Sequence, residues 1–189
     1  MPSMQVTAAS VSDAAHINRE KIEAAAKLIK PFIIETPLIE SPRLNDKLGI
    51  RLLVKAECLQ HTGSFKLRGA SNAVFSLDDT VKDVVAFSSG NHAQGVALAA
   101  ANRGLNATIV MPEDSPVSKI EGTKAYGANV ILYNRYTESR EEIGADLAAR
   151  KQAQLIKPFD DLTVIAGQGT VGLEIAAQTT AKNLNPDAI

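Results

Sequence analysis

The chain has 189 residues, of which 45% are hydrophobic and 22% charged, a balance that is typical of globular proteins and excludes disorder as its main description. The 20 Lys and Arg residues nearly balance the 21 Asp and Glu, so no basic excess favours nucleic-acid binding. No apolar run is long enough to cross a bilayer, and the first residues do not resemble a signal peptide. The single cysteine, Cys58, cannot form an internal disulfide, which fits a reducing compartment. We therefore expect a cytoplasmic protein without nucleic-acid or membrane partners.

The first third of the chain predicts two helices and short extended segments. The first dozen residues are small and polar, and we expect them to be disordered. After them, apolar residues recur at helical spacing until a proline ends the pattern. In chain order, the predicted elements are a helix over Asp13–Lys30 ended by Pro31, an extended segment or turn at Thr36–Leu38, a strand over Arg51–Ala56 and a helix that begins at Phe65 with Ser64 as its cap.

From residue 84 onward, short apolar segments alternate with helical segments. Parallel strands are joined by helical crossovers, so this alternation predicts an α/β protein with a parallel sheet. The predicted strands are Val84–Phe87, Ala107–Met111, Asn129–Tyr133 and Leu162–Ala166. The predicted helices are Asn91–Asn102 stopped by Gly104, a helix with Ser115 as N-cap and Pro116 as first residue that ends at Gly127, Glu138–Lys151, and Gly172–Thr180.

Lys66 is the first candidate reactive group, in the segment Thr62–Gly69. We expect it in the first turn of a helix, where the positive end of the helix dipole disfavours an ammonium ion. A lysine that is partly neutral can form a Schiff base with a carbonyl compound. The alternative interpretation is a solvated lysine on a helix surface.

The second candidate is the small-residue turn Phe87–His92, which leads from a predicted strand into a helix. Free backbone N–H groups at such a helix start can bind a carboxylate or phosphate, and Gly90 permits close approach. The alternative is that Ser and Asn are ordinary helix caps here. His92 and His61 have no partners at metal-ligand spacing, so we interpret both as structural.

A third motif, Gly167–Gly172, has the G-x-G-x-x-G spacing of dinucleotide-binding loops, and Asp187 lies about 20 residues further on. That acidic residue should end a following strand, but Leu184–Pro186 predicts a loop. The glycine spacing matches but the expected strand is missing, so we keep a nucleotide-binding module only as an alternative.

Cys58 does not qualify as a catalytic thiolate, because the neighbouring carboxylate of Glu57 disfavours its ionisation.

Taken together, the motifs resemble the fold-type II pyridoxal-phosphate enzymes of the threonine/serine dehydratase and serine racemase group. The succession of Ser64-Phe65-Lys66 and Ser88-Ser89-Gly90-Asn91-His92 is the most specific part, and the similarity runs from about Ile17 to the last residue. This resemblance implies that the Gly167–Gly172 segment is a structural turn and not a dinucleotide-binding loop. The other matching segments are Thr36–Leu38, Lys55–Ala70, Ser88–Gly95, Met111–Pro112, Tyr126–Ala128, and Ala166–Thr170 with Glu174.

The resemblance implies a tryptophan-synthase-β-like α/β fold with parallel sheets. Residues 1–78 and 158–189 would belong to a large cofactor-binding domain, and residues 79–157 to a small inserted three-layer domain. Family members continue well beyond the position that corresponds to Ile189, through a glycine-rich cup for the cofactor phosphate and a residue facing the pyridine nitrogen. In many members the acidic ligands of a divalent metal follow. We therefore expect a complete small domain, an incomplete large domain and no metal ligands in this chain.

The resemblance also assigns roles to individual residues. Lys66 would hold pyridoxal 5'-phosphate through a Schiff base and abstract the substrate α-proton, and Phe65 would pack against the pyridine ring. Asn91 would hydrogen-bond the ring hydroxyl oxygen. Ser89 matches the serine that acts as acid and base on the opposite face in the racemases. The substrate carboxylate would be held by the turn made of Ser88, Ser89, Gly90, Asn91 and His92.

The implied reaction converts a small-molecule amino acid, threonine or serine, to a 2-oxo acid and ammonia. Serine racemisation and dehydration of 3-hydroxyaspartate are alternatives within the same group. A non-catalytic fragment of such an enzyme is a further alternative. The resemblance also implies a homo-oligomer.

Overall fold

A computed structural model describes residues 17–189, so the predicted disorder of the first dozen residues and the predicted helix start at Asp13 lie outside the described residues. The helices are α1 (Arg19–Ile29), α2 (Pro42–Leu48), α3 (Lys66–Phe75), α4 (Asn91–Arg103), α5 (Val117–Ala125), α6 (Arg140–Lys151) and α7 (Leu162–Ala181). The strands are β1 (Leu38–Glu40), β2 (Leu53–Lys55), β3 (Asp83–Phe87), β4 (Asn106–Pro112), β5 (Asn129–Tyr133) and β6 (Gln154–Leu155). Short 3-10 turns cover Lys30–Phe32 and Glu57–Leu59.

The main sheet has four parallel strands in the order β5-β4-β3-β6, which confirms the predicted α/β class with a parallel sheet. Val85 of β3 pairs with Thr108 of β4 on one side and with Leu155 of β6 on the other. The chain therefore adds β4 and β5 on one side of β3 and then returns to add β6 on the opposite side. Strands β1 and β2 form a separate antiparallel pair, with Leu38 opposite Lys55.

Alternate residues of the strands pack against helices on the two faces of the sheet. One face buries Val84, Ile109 and Met111 against the alanine-rich side of α4 and against α3 and α5. The other face buries Phe87 and Val110 against α6. Because both faces are covered, the region from β3 to β6 has three layers, helix, sheet and helix.

Two short elements were not predicted. Helix α2 has Ser41 as N-cap, Pro42 as its first residue and Gly49 at φ +66° as its C-cap, so its end signals were present in the sequence. Strand β6 is only two residues long, too short for an alternating pattern to develop. Its residue Leu155 nevertheless pairs with the central strand β3.

The predicted capping of α5 by Ser115 is wrong by one residue. Pro116 is the N-cap, with φ −52° and ψ 130°, and the helix begins at Val117. The extended ψ angle of Pro116 moves the helix start past it. The Ser115 hydroxyl oxygen is buried without a hydrogen-bond partner among the described residues.

The predicted strand Leu162–Ala166 is also wrong, because these residues open the long helix α7. Asp161 is its N-cap, and its carboxylate accepts hydrogen bonds from the backbone N–H groups of Thr163 and Val164. The Gly167–Gly172 segment consequently lies inside a helix and forms neither a dinucleotide-binding loop nor the structural turn expected from the resemblance. Two of its glycines, Gly167 and Gly169, serve helix packing instead.

Helix α7 packs against α3 and α1 through Gly167 and Gly169. A Cβ atom at Gly167 would lie 2.7 Å from the Cα atom of Gly69 in α3. A Cβ atom at Gly169 would lie 2.9 Å from Cδ1 of Ile22 in α1. The absence of side chains at both positions lets the three helices approach closely.

A buried ionic cluster of Lys55, Glu57, Arg68 and Glu174 joins α3 to α7 and to the chain before α3. Arg68 is fully buried and bonds both carboxylates, with 2.8 Å to Glu57 and 2.6 Å to Glu174. Lys55 Nζ lies 2.6 Å from the second oxygen of Glu174. Burial alone would raise the pKa of Glu57, but hydrogen bonds from Arg68 and Thr36 outweigh it and hold that pKa below its usual range. The four charges thus neutralise one another.

The proposed division into domains at residues 79 and 157 stays a prediction. Strands β3 to β6 all lie between these two positions, whereas α3 and α7, which pack on each other, lie outside them. Within residues 17–189, no helix combines the length and apolar character needed to cross a membrane.

Candidate functional site

The candidate site lies where the strand order of the sheet reverses, at the carboxyl ends of β3 and β6. Open parallel sheets bind ligands at this position, because neighbouring loops there diverge to opposite faces. Residues Ser88–Gly90 follow β3, and residues Ile156–Pro158 follow β6. The two segments are neighbours, since the backbone N–H of Ile156 donates to the carbonyl oxygen of Val85 in β3 at 2.8 Å.

Lys66 is the first residue of α3, so its predicted position in the first helical turn is confirmed. The predicted start at Phe65 with Ser64 as cap is wrong by one residue, because Phe65 is the N-cap and no side chain caps the helix. The half-buried side chain points to the segment after β6, where Nζ donates to the carbonyl oxygen of Pro158 at 3.2 Å. Nζ also lies 5.3 Å from the centroid of the Phe65 ring, which is 42% exposed. The amine therefore has one backbone acceptor and one aromatic neighbour, and no carboxylate of the described residues binds it.

The turn after β3 leads into a helix whose first N–H groups are free of side-chain caps. The Ser88 N–H is used by the carbonyl oxygen of Val110 at 3.1 Å, and the Ser88 hydroxyl oxygen accepts from the Gly90 N–H at 3.2 Å. Gly90 is the N-cap of α4, and no side chain caps this helix. The interpretation of Ser and Asn as ordinary caps is therefore wrong, and the first turn of α4 offers N–H groups to an anion.

Close packing of α4 on α3 brings the turn and the lysine together. A Cβ atom at Gly95 would lie 3.3 Å from the carbonyl carbon of Lys66 and 3.3 Å from the backbone nitrogen of Leu67. Asn91 lies four residues before Gly95 and so shares its face of α4. The start of α4 and the start of α3 therefore meet at the same end of the sheet.

His92 lies behind the turn, with 2% of its surface exposed. Its Nε2 is 3.3 Å from the carbonyl oxygen of Ile156, to which the neutral ring can donate, and its Nδ1 has no hydrogen-bond partner among the described residues. Burial, with a smaller contribution from the Lys66 charge, lowers the pKa of His92 to about 4, although the hydrogen bond to the Ile156 carbonyl oxygen acts in the opposite direction. His92 is therefore neutral near pH 7, and its ring braces the segment after β6.

Ser89 and Asn91, the other candidates of the turn, are both exposed. The Ser89 hydroxyl has no hydrogen bond to a described residue. The side-chain oxygen of Asn91 accepts from Nζ of Lys119 in α5 at 2.6 Å. Neither Pro158 nor Lys119 was expected at the site, because each comes from an element distant in sequence and no local pattern indicates the contact.

The residues of the site suit a carbonyl compound that also carries acidic groups. Lys66 supplies a primary amine with a weak backbone contact, and Phe65 supplies an exposed aromatic face. The uncapped start of α4 supplies donors for a carboxylate. This donor set fits the aldehyde-bearing cofactor that the resemblance implies. Within residues 17–189, no three His, Cys, Asp or Glu side chains are grouped so as to hold a metal ion.

The comparison with protein families agrees with this chemistry. Residues 29–189 match the model of a family described as pyridoxal-phosphate dependent enzyme. Among curated proteins, the L-threo-3-hydroxyaspartate ammonia-lyase of Saccharomyces cerevisiae is 52% identical over 153 residues, which cover 80% of this chain and 47% of the relative. The chain thus spans about half the length of the curated relatives it matches.

Solved structures give the same result. A structure described as a threonine deaminase from T.th. is similar with a TM-score of 0.84 and 46% sequence identity, over 90% of this chain and 54% of that one. A maize serine racemase is similar with a TM-score of 0.82 and 43% identity, over 85% of this chain and 50% of that one. Similarities of this extent take in most of the sheet and of the helices described above.

Proposed function

The chain belongs to the pyridoxal-phosphate dependent enzyme family, and from this premise we propose that it carries the reacting lysine and the substrate-binding turn of an ammonia-lyase for hydroxy amino acids. The observation that supports this most directly is the Lys66 amine at the start of α3, close to the uncapped start of α4. The products would be a 2-oxo acid and ammonia.

In this proposal each residue of the site has a defined role. Pyridoxal phosphate, when bound, supplies an electron sink that stabilises negative charge at the substrate α-carbon. Lys66 would hold the cofactor through its amine until the substrate amino group displaces it, and the freed amine would then take the α-proton as general base. The backbone N–H groups of the Ser88–His92 turn hold the substrate carboxylate and so fix the direction of the α-hydrogen. Phe65 would pack against the cofactor ring, and the Asn91 side chain would donate to the ring hydroxyl oxygen.

The relatives suggest three substrates, threonine, serine and 3-hydroxyaspartate. Three of the similar proteins are described as a 3-hydroxyaspartate ammonia-lyase, a threonine deaminase and a serine racemase. These substrates share an α-amino acid group and a β-hydroxyl, which are the parts that the proposed site would bind and remove. We therefore propose a β-hydroxy amino acid as the substrate class.

Racemisation of serine is a second candidate activity, because Ser89 carries an exposed hydroxyl within the same turn. Racemisation needs a second acid–base group on the face opposite Lys66, since the proton that is removed from one face must be replaced from the other. Elimination needs no acid–base group on that second face. The ratio of the two activities would therefore depend on Ser89.

The test is a titration of the purified chain with pyridoxal phosphate, followed by borohydride reduction and peptide mapping. We expect a visible absorption band, and a reduced adduct on Lys66 that Lys66→Ala abolishes. Lys157→Ala is the matched control, because Lys157 is exposed and adjoins Pro158. Ammonia release from the three substrates would then separate a catalytic chain from a non-catalytic fragment. An adduct on another lysine, or no band at all, would contradict the proposal.

Three further expectations belong to the same proposal. The chain assembles as a homo-oligomer, acts in the cytoplasm and divides into domains near residues 79 and 157. Light scattering of the purified chain and limited proteolysis test the first and the third. Fractionation of the source cells tests the second.

A further inference from the structure

Lys119 contacts the candidate site from a neighbouring helix. It lies on α5, half-buried, and its Nζ donates to the side-chain oxygens of Asn91 at 2.6 Å and Gln94 at 3.1 Å. Asn91 and Gln94 are three residues apart in the first turns of α4 and therefore share one face. One ammonium group thus holds two amides at the start of α4.

Close packing keeps the three side chains together. Gly122, one turn after Lys119 on α5, has no side chain where the amide nitrogen of Gln94 lies, and a Cβ atom there would clash with it. The backbone of Lys119 is also fixed, because its carbonyl oxygen accepts from the Thr123 hydroxyl at 2.7 Å. The Lys119 ammonium is therefore held beside α4.

The contact between Lys119 and Asn91 determines which atom of the Asn91 amide points away from Lys119. An ammonium group has three donors and no acceptor, so only the amide oxygen can face it. The nitrogen of Asn91 must then point away from Lys119, and it has no partner among the described residues. Asn91 thus presents two N–H donors and no acceptor to its other neighbours.

We propose that Lys119 is a positioning residue, which orients the Asn91 amide so that its NH₂ group donates to an acceptor oxygen of the group bound at Lys66. The proposal rests on the proposed function, in which that acceptor is the ring hydroxyl oxygen of pyridoxal phosphate. Without Lys119 the amide is free to rotate, and its oxygen competes for the same place. In this proposal Lys119 acts only through the amides that it contacts.

The first test compares the dissociation constant for pyridoxal phosphate, from absorbance, among variants of the full chain. Lys119→Met should raise it roughly 2- to 10-fold, the worth of one hydrogen bond. Lys119→Arg should restore most of the affinity, because guanidinium is also a donor without an acceptor. Lys124→Met is the control, since Lys124 lies on the same helix and pairs with exposed Glu121. It should leave the constant unchanged.

A double-mutant cycle separates positioning from general damage. If Lys119 acts through the amide, Lys119→Met should cause no further loss of affinity once Asn91→Ala is present. An equal loss in both backgrounds would overturn the proposal. Asn91→Asp keeps an oxygen toward Lys119 but replaces the NH₂ donors, and it should weaken binding at least as much as Lys119→Met.

Side-chain NMR signals of Asn91 provide a readout that needs no cofactor. Lys119→Met should shift the Nδ2 amide resonances of Asn91, whereas Lys124→Met should not. Unchanged resonances in Lys119→Met would overturn the positioning role. Failure of the wild-type chain to bind pyridoxal phosphate, with the Asn91 shift present, would instead overturn the proposed function and the ligand named here.

Discussion

Gly167 of α7 lies directly against the backbone of Arg68 in α3. A Cβ atom at position 167 would be 2.6 Å from the Arg68 carbonyl oxygen and 2.7 Å from the Cα atom of Gly69. Both neighbours are backbone atoms, so neither can rotate aside. The contact sets the distance between α7 and α3, the helix that begins with Lys66.

We therefore expect Gly167→Ala to destabilise the protein by roughly 1–3 kcal/mol, the usual cost of forcing extra atoms into a packed interface. Gly172→Ala is the matched control on the same helix, because a Cβ atom there meets open space. The control should stabilise the helix by up to about 1 kcal/mol through its higher helix propensity. Urea unfolding of both variants measures the difference, and equal effects would contradict the packing role.

Removal of Arg68 should be among the most damaging single changes. Arg68→Met leaves Glu57 and Glu174 partly buried without their shared cation, which costs roughly 3–5 kcal/mol. The pKa of Glu57 should rise at the same time, because burial would no longer be outweighed by the Arg68 hydrogen bond. Arg135→Met, which removes an exposed pair with Asp114, should cost less than about 1 kcal/mol. Denaturant midpoints at pH 7 test both values.

The buried His92 should make stability depend on pH. Its pKa is about 4 in the folded protein against 6.5 for an ordinary histidine, so the unfolded chain takes up a proton first as the pH falls. The free energy of unfolding should therefore be highest above about pH 6.5. It should fall by about 3 kcal/mol as the pH drops from there to about 4. The pH slope of the unfolding free energy should flatten in His92→Gln. It should be retained in His61→Gln, where the side chain is exposed.

Replacement of Ser89 should leave stability unchanged. The N-cap of α4 is Gly90 without a side-chain bond, so Ser89→Ala removes no cap and should alter the unfolding free energy by less than about 0.5 kcal/mol. Ser139→Ala removes the hydroxyl that accepts from the Glu142 N–H at the start of α6, and should cost about 1 kcal/mol. Thermal unfolding compares the two. If Ser89→Ala also lowers racemisation more than elimination, its role is chemical.

Sequence patterns predicted the central elements well where apolar strands alternate with glycine-ended helices. Strand β3 and helix α4 each differ from their predicted bounds by one residue at one end. The end of α4 was predictable because Gly104 is the left-handed C-cap, at φ +73°. The error at Leu162–Ala166 arose because a short, mainly apolar run suits a strand as well as a helix. The Asp161 cap, with Thr163 two residues later, was the local signal that favours the helix.

Sequence patterns predicted only those parts of the site that lie within a single segment of the chain. Lys66 and the Ser88–His92 turn each lie at a helix start, which sequence reasoning can identify. Pro158 and Lys119 meet them through the parallel return of β6 and the packing of α5 on α4. Such contacts depend on the order of strands in the sheet, and no spacing within one segment encodes that order.

The ionic cluster has a consequence for behaviour in concentrated salt. Mobile ions weaken attraction between charges that water reaches, as in the Arg19–Glu23 pair, whose side chains are 82% and 44% exposed. They cannot enter between Arg68 and its two carboxylates, because the Arg68 side chain is 0% exposed. The segment that carries Lys55 and Glu57 should thus stay bound to α3 and α7 at ionic strengths that break the surface ion pairs.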